Sequence, residues 1–336
     1  MKAFGLIGFG KQGQEHLAVH HLCQHGRIVG VYDPHQKEIA MPEGVKRFIS
    51  LKELLEQPLD GVIMAIPHHQ HLAALQAVWA LRPGIAVAKE KPLGRNMAEA
   101  NRMMMLAKVQ KTLLRTLIQR RHHRSYEYLK EQMRAQRAAP LVVNLQMNLG
   151  FDRPREQLPA TWRNDRSLAG GGALLDSGYH LVDLVLYLMG DFEVVGCTLW
   201  HDGQLVEGNQ VDDRAHMVGV SDNTWIDIRS SVFNDVVDGK PLEGKFEQVE
   251  AIYEDHCLVA NRSEVWRFTA DCSQGQRLFL GQKDWQDAMV RQLDDFALSI
   301  SEPNLVDHDV LWDQQPALSI IDLGYAMRSQ WGGSDG

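Results

Sequence analysis

Hydrophobic and polar positions follow two different rhythms along this chain, and the rhythm changes near residue 118. Before that point, short apolar or β-branched runs (AFGLIGFG, RIVGVYD, GVIMAIP, IAVAKEKP, TLLRTLI) are separated by stretches with helical spacing, one from about Gln12, then SLKELLEQ, then one from about His69. Strands interleaved with helices of this length predict βαβ units, hence a parallel sheet with right-handed crossovers. Residues 1–118 therefore read as an open α/β domain.

Beyond it the pattern predicts a helix near Tyr126 to Gln136, the strand PLVVNLQMNLG, an irregular segment from Phe151 to Ala169 and a mostly apolar helix, GGGALLDSGYHLVDLVLYLMG, over 170–190. From about Glu193 to Leu280, segments such as EVVGCTLWH, AHMVGVS, TWIDIRSSVF and KFEQVEAIYE alternate with period two, as in an antiparallel sheet with one face covered. Two helical patterns follow, Asp284 to Ser301 and Gln314 to Arg328, before a GGSDG ending. Residues 119–330 are thus expected to form an α+β second domain whose last helix is placed to pack back on the first, with 331–336 a flexible tail.

Composition narrows the function classes. At 336 residues two domains are expected, and 44% hydrophobic with 23% charged residues is ordinary for a soluble globular protein. A formal net charge of −8 disfavours nucleic acid as the main partner, with RTLIQRRHHR (115–124) the one basic exception. No apolar run reaches the length of a membrane span, and MKAFGLIGFG reads as a strand rather than a signal peptide. Cys23, Cys197, Cys257 and Cys272 are scattered without a CxxC pair, so neither zinc site nor disulfide framework is expected, and a reducing cytoplasm fits.

Candidate chemistry begins at Gly8-Phe9-Gly10-Lys11-Gln12-Gly13, a GxGxxG that directly follows a strand and opens a helix. Glycines permit the tight turn and let backbone approach a pyrophosphate, which the helix N-terminus attracts. Asp33 ends the next strand, where a carboxylate accepts from a ribose 2′-hydroxyl and repels a 2′-phosphate. NAD is therefore favoured, and Lys37 leaves NADP open. Glu90 and Lys91 lie at the carboxyl end of IAVAK, the end at which open α/β sheets place ligands. Asp176, His180 and Asp183 stand at i, i+4 and i+7, within roughly 60° on a helix, so they form one polar stripe on an apolar element. Such a stripe is a structural polar network, a stripe that simply faces water, or a functional site. His16 and His20 have the i, i+4 spacing of a metal pair but no third ligand, and read as surface histidines; no metal site is expected. His68, His69 and His71 read as a loop near the cofactor, and Arg163, after Trp162, as a group that could reach substrate.

In combination and order, GFGKQG, AIPHHQH, KEKP and GGGALLDSGYHLVDLVLYLMG resemble the glucose-fructose oxidoreductase, inositol dehydrogenase and MocA (Gfo/Idh/MocA) family across nearly the whole chain. The resemblance implies an N-terminal Rossmann NAD(P)-binding domain and a C-terminal α+β domain with a large, mostly antiparallel open sheet used for oligomerisation, hence a homodimer or homotetramer. It implies that Lys91 binds and polarises the reacting hydroxyl or carbonyl beside the nicotinamide, that His180 is the general acid/base, and that Asp176 is its partner on the substrate side. Gly8 to Gly13, Asp33, Ile66, Pro67, His68, His71, Glu90 and Lys91 become the cofactor-binding set; Lys91, Arg163, Asp176 and His180 become the substrate-binding set. The family's usual Thr-Pro-Asn stands here as Ile66-Pro67-His68, which puts the cofactor contact of position 68 in question, whereas His71 matches the family histidine that follows. Asp183 is expected to support His180, and Arg120 and Arg121 resemble a family arginine pair.

The chemistry agrees with this assignment. Oxidising a secondary alcohol needs a base for the hydroxyl proton as hydride leaves, a role imidazole fills near neutral pH, and a cation that stabilises alkoxide character. The expected substrate is a sugar, cyclitol or sugar derivative. A non-catalytic NAD(P) sensor and an NAD-dependent glycosidase or lyase on the same fold stay open as alternatives.

Overall fold

A computed structural model of the chain describes residues 1–35, 40–151, 161–233, 236–237, 240–241, 245–281, 285–301 and 314–327. Lys37, residues 152–160 of the irregular segment and the 331–336 tail lie outside the described residues. The chain divides into two compact units, one of Met1–Gln119 with Gln286–Gln315 and one of Arg120–Trp285 with Pro316–Gly336.

The first unit holds six parallel strands: β1 (Lys2–Ile7), β2 (Gly26–Tyr32), β3 (Lys46–Phe48), β4 (Gly61–Met64), β5 (Ala86–Glu90) and β6 (Leu114–Leu117). Their order, β3-β2-β1-β4-β5-β6, reverses direction between β1 and β4, which makes the carboxyl ends of those strands a ligand-binding crevice by topology. Helices α1 (Lys11–Val19), α2 (Leu51–Leu55), α3 (His71–Leu81) and α4 (Met97–Gln110) connect them. Because helices cover both faces, β4 and β5 are buried along their length and read in sequence as unbroken apolar runs. Ser50 and Asn96 cap α2 and α4 by accepting from the backbone N–H of Glu53 and Glu99.

The helix Trp285–Ser301 completes this unit, although the sequence pattern assigns it to the second domain and gives the returning role to the last helix. The reason is steric fit. Met289, Leu293, Phe296 and Ala297 enter the core around Phe4, Leu6 and Ile28, with the Phe4 and Phe296 rings 5.1 Å apart. Gly26 and Gly61 make room, since a Cβ there would stand 3.1 Å from Ala297 and Phe296 respectively. Arg115 on β6 pairs with Asp295, and Asp294 accepts from the backbone N–H of Gln24 and His25.

The second unit is built on a nine-stranded sheet containing β7 (Val142–Phe151), β8 (Glu193–His201), β9 (Gln204–Leu205), β10 (Arg214–Ser221), β11 (Thr224–Phe233), β14 (Phe246–Ile252), β15 (His256–Ala260), β16 (Glu264–Thr269) and β17 (Gly275–Leu280). A separate two-stranded ribbon, β12 (Val236–Val237) and β13 (Lys240–Pro241), precedes β14. Among the described residues, only the β7–β11 pair of the large sheet is parallel. Alternate residues such as Val143, Leu145, Met217, Ile226, Ile228 and Val249 are buried, which is the period-two pattern of a sheet covered on one face. The covering helices include α5 (Arg124–Arg134), α7 (Ala173–Asp176) and α8 (Gly178–Met189). α6 (Arg166–Ala169) leads into α7, α9 is the Trp285–Ser301 helix, and α10 (Gln315–Met327) packs in this unit through Gly324, beside Met217.

Where a single helix is expected over 170–190, the structure has α7 and α8 meeting at Ser177, whose hydroxyl and backbone N–H both donate to the Ala173 carbonyl.

Candidate active site

In the first unit the glycine turn has the form a dinucleotide requires. Gly8 has φ +93°, and a Cβ there would lie 2.3 Å from the Ala65 carbonyl oxygen; one on Gly13 would lie 2.2 Å from the Gly8 oxygen. Both must be glycine for the turn and helix to pack. Gly10 differs: a Cβ there meets nothing within 4 Å, so its hydrogen leaves a cradle that a pyrophosphate can enter. Gly10 is also the N-cap of α1, with no side-chain cap and no acid in the first turn at Lys11 and Gln12, so the positive helix end is open to an anion. Asp33, at the end of β2, accepts from the Phe9 N–H at 2.5 Å and from the His35 N–H at 2.7 Å. The carboxylate thus stands against the glycine turn, where it fits a ribose hydroxyl. These residues fit NAD.

The ends of β4 and β5 lie beside this turn. Ile66 packs against the core, Pro67 leads into a 3₁₀ turn over His68–Gln70, and His68 is buried. His71 opens α3 with its ring almost fully buried, Nε2 3.1 Å from the Ile66 carbonyl and Nδ1 3.3 Å from Lys89 Nζ. Its side chain therefore supports the loop from within. Burial and the neighbouring Lys89 cation hold it well below the usual histidine range, so it is neutral. Glu90 accepts at 2.6 Å from Nε2 of His16, a buried ring on α1. This corrects the expectation of surface histidines: His16 and His20 are both buried, and His16 ties the cofactor helix to the turn that carries Lys91. Lys91 follows, half-buried, at the carboxyl end of β5.

The second unit holds the other candidates. Asp176 ends α7 and lies 3.5 Å from the Arg163 guanidinium, which stacks on Trp162 with its carbon 4.3 Å from the ring centroid. His180 sits buried in the first turn of α8. Asp183, fully buried one turn on, receives a two-point hydrogen bond from Arg121, at 2.9 Å from Nε and 2.5 Å from a terminal nitrogen. Arg120 pairs with buried Glu247, which Tyr126 also donates to. The arginine pair therefore serves ion pairs inside the second unit.

Three features escape sequence reading: the His16–Glu90 contact, the Asp212 cap and buried Lys89. His16 and Glu90 are 74 positions apart, so no local pattern links them. Asp212 caps α7, accepting from the N–H of Gly172 and of Leu174, each at 2.8 Å, and from the Tyr325 hydroxyl. Lys89 left one signal, a charge inside the buried run IAVAK. Among the described residues no group of three or more His, Cys, Asp or Glu is placed to hold a metal, and no helix is long and apolar enough to cross a membrane.

Comparison with known proteins decides the class. Residues 2–117 match the description "Oxidoreductase family, NAD-binding Rossmann fold", and residues 132–235 match "GFO/IDH/MocA C-terminal domain". The chain belongs to the Gfo/Idh/MocA oxidoreductase family. This Gfo/Idh/MocA protein is 26% identical to the glucose-6-phosphate 3-dehydrogenase of Bacillus subtilis (strain 168) over 71% of its own chain and 68% of the relative. It spans about half the length of several other curated relatives that it matches. Its fold is that of a levoglucosan dehydrogenase solved with NADH and levoglucosan (TM-score 0.77, 19% identity, 98% and 97% of the two chains). A 3-ketoreductase variant from Actinomadura kijaniata, solved with TDP-benzene and NADP, shares it too (TM-score 0.79, 17% identity, 97% of each chain). The protein is an NAD(P)-dependent oxidoreductase.

Proposed function

We propose that this oxidoreductase interconverts a secondary hydroxyl and a ketone on a sugar, cyclitol or sugar derivative, with NAD as the preferred cofactor. The observation that carries the reading is the His16–Glu90 contact, which binds the dinucleotide turn and the Lys91 turn into one piece of structure. A bound nicotinamide supplies the hydride acceptor or donor. Lys91, as an ammonium, donates to the reacting oxygen and stabilises its negative charge as the proton departs. His180 takes that proton in oxidation and returns it in reduction. Asp176 orients the imidazole or balances its charge, and Arg163, already against Asp176, reaches for a substrate hydroxyl. Asp33 favours NAD because its carboxylate repels a 2′-phosphate.

The test is the purified protein with NAD or NADP and a panel of sugars, cyclitols and their derivatives, followed at the nicotinamide absorbance band. Net NADH formation that disappears in Lys91→Ala, with cofactor affinity retained, supports the assignment; undiminished turnover in that variant overturns it. Release of a leaving group without net NADH would instead favour the glycosidase or lyase reading.

The uncovered face of the nine-stranded sheet supports a homodimer or homotetramer, since Trp200, Trp225 and Trp266 occupy strand positions adjacent to the buried Leu199, Ile226 and Val265 and so point away from the covered face. Sedimentation equilibrium reads the oligomer directly. A reducing, cytoplasmic setting is supported by free Cys23 and Cys197, whose thiols burial pushes up to about 12.

A further inference from the structure

Lys89 lies two residues before Lys91 and is fully buried. Its Nζ stands 3.3 Å from His71 Nδ1, 3.1 Å from the Glu90 carbonyl oxygen and 2.5 Å from the Pro92 carbonyl oxygen. An ammonium has three donors and no acceptor, and here it meets three acceptors. The histidine is set for this role. With Nε2–H donated to the Ile66 carbonyl, Nδ1 presents its lone pair to Lys89. The two carbonyls belong to the residues immediately before and after Lys91.

We propose that Lys89 is a positioning residue for Lys91, its ammonium gripping the flanking carbonyls from beneath and fixing the direction in which the Lys91 side chain leaves the turn. The proposal rests on the reading of Lys91 as the group that meets the reacting oxygen.

Fold stability alone does not demand a lysine here: the ammonium satisfies three acceptors, but its desolvation opposes that gain. β5 is buried on both faces, and an apolar side chain would fill the same space without a desolvated charge. Burial pushes the Lys89 ammonium down to about 7, even with Glu99 and Glu90 drawing it upward. Retaining a cation where its surroundings disfavour it is characteristic of functional groups. The charged and titratable neighbours are Glu90 on its own strand, Glu99 on α4, itself paired with Arg95 at 3.0 Å, and neutral His71 on α3, with His68 and His69 beyond that ring. Deprotonation removes one of three donors, so one acceptor loses its partner and the Lys91 turn loosens.

The test is Lys89→Met in the full chain. Without cofactor or substrate, competitive acetic anhydride labelling read by mass spectrometry reports the environment of the Lys91 amine, and thermal unfolding reports stability. The expected result is a Lys91 labelling rate changed by about threefold or more, whichever way the melting temperature moves, since Met relieves the buried charge but leaves three acceptors without this donor. With NAD and the first polyol that is turned over, kcat falls about tenfold or more, while KM and the NADH dissociation constant stay within about threefold. Unchanged Lys91 labelling, whether or not the melting temperature drops, overturns the proposal. Should the variant fail to fold, amide hydrogen exchange of the wild-type chain decides. Protection at Lys91 and Leu93, corrected for intrinsic exchange, is expected to fall several-fold between about pH 6 and about pH 9, and constant protection overturns the proposal. Failure of the functional reading looks different. Lys91→Ala would then retain turnover, or no polyol would reduce NAD, while the labelling and exchange results stand by themselves.

Discussion

Gly10 and Gly13 make the same demand in sequence and opposite demands in structure. A methyl at Gly13 collides with the Gly8 carbonyl oxygen at 2.2 Å, so Gly13→Ala is expected to lower both the melting temperature and NADH affinity. A methyl at Gly10 meets nothing within 4 Å, so Gly10→Ala is expected to melt like the wild type and still bind NADH about tenfold more weakly, because the methyl occupies the pyrophosphate's place. Fluorescence titration with NADH alongside thermal unfolding separates the two. The GxGxxG pattern was legible in the sequence because its geometry is local. The grip of His16 on Glu90 was not, because only the completed parallel sheet brings α1 against the end of β5. Asp183 shows a subtler limit. Helical spacing put it on one stripe with His180, but the two-point bond from Arg121 depends on a loop that the helix pattern does not describe.

Helix ends carry most of what periodicity leaves out. GGGALLDSGYHLVDLVLYLMG reads as one helix because its apolar spacing continues through Ser177, whereas the structure divides it there into α7 and α8. The start of α7 depends on Asp212, some 40 residues downstream of the amides it caps. Asp212→Ala removes the carboxylate that accepts from two buried backbone N–H groups and from the Tyr325 hydroxyl, and is expected to cost about 2–4 kcal/mol in urea unfolding. Because α7 carries Asp176, the same change is expected to reduce kcat even with every candidate catalytic side chain intact. Asp212→Asn, which keeps one acceptor oxygen, is expected to recover part of both losses.

For the whole molecule, acid is the expected weakness. Burial, with Arg120 close by, holds His123 down at about 4 against 6.5 in an open chain, so the unfolded state binds the extra proton first. Stability therefore declines as pH falls from about 6.5 to about 4, by up to about 3 kcal/mol from this group. Glu247 adds to the loss at lower pH: burial raises its carboxyl, but Arg120, Tyr126 and Arg262 outweigh burial and leave it below its ordinary value. Urea unfolding at a series of pH values reads the slope, which His123→Phe should flatten. The two-unit architecture was legible from the change of rhythm, since parallel and antiparallel sheets bury different patterns of residues. The owner of the helix Trp285–Ser301 was not, because an amphipathic helix fits any apolar groove until a particular pair such as Phe4 and Phe296 selects one. That pairing also sets an order of events. On a ribosome, the first six strands emerge long before the helix that closes over Phe4 and Ile28, so the nascent Rossmann half must wait, with an apolar groove uncovered, while the entire second sheet is made. The domain synthesised first is thus among the last to be finished, and a fragment cut at its apparent boundary is expected to aggregate rather than fold.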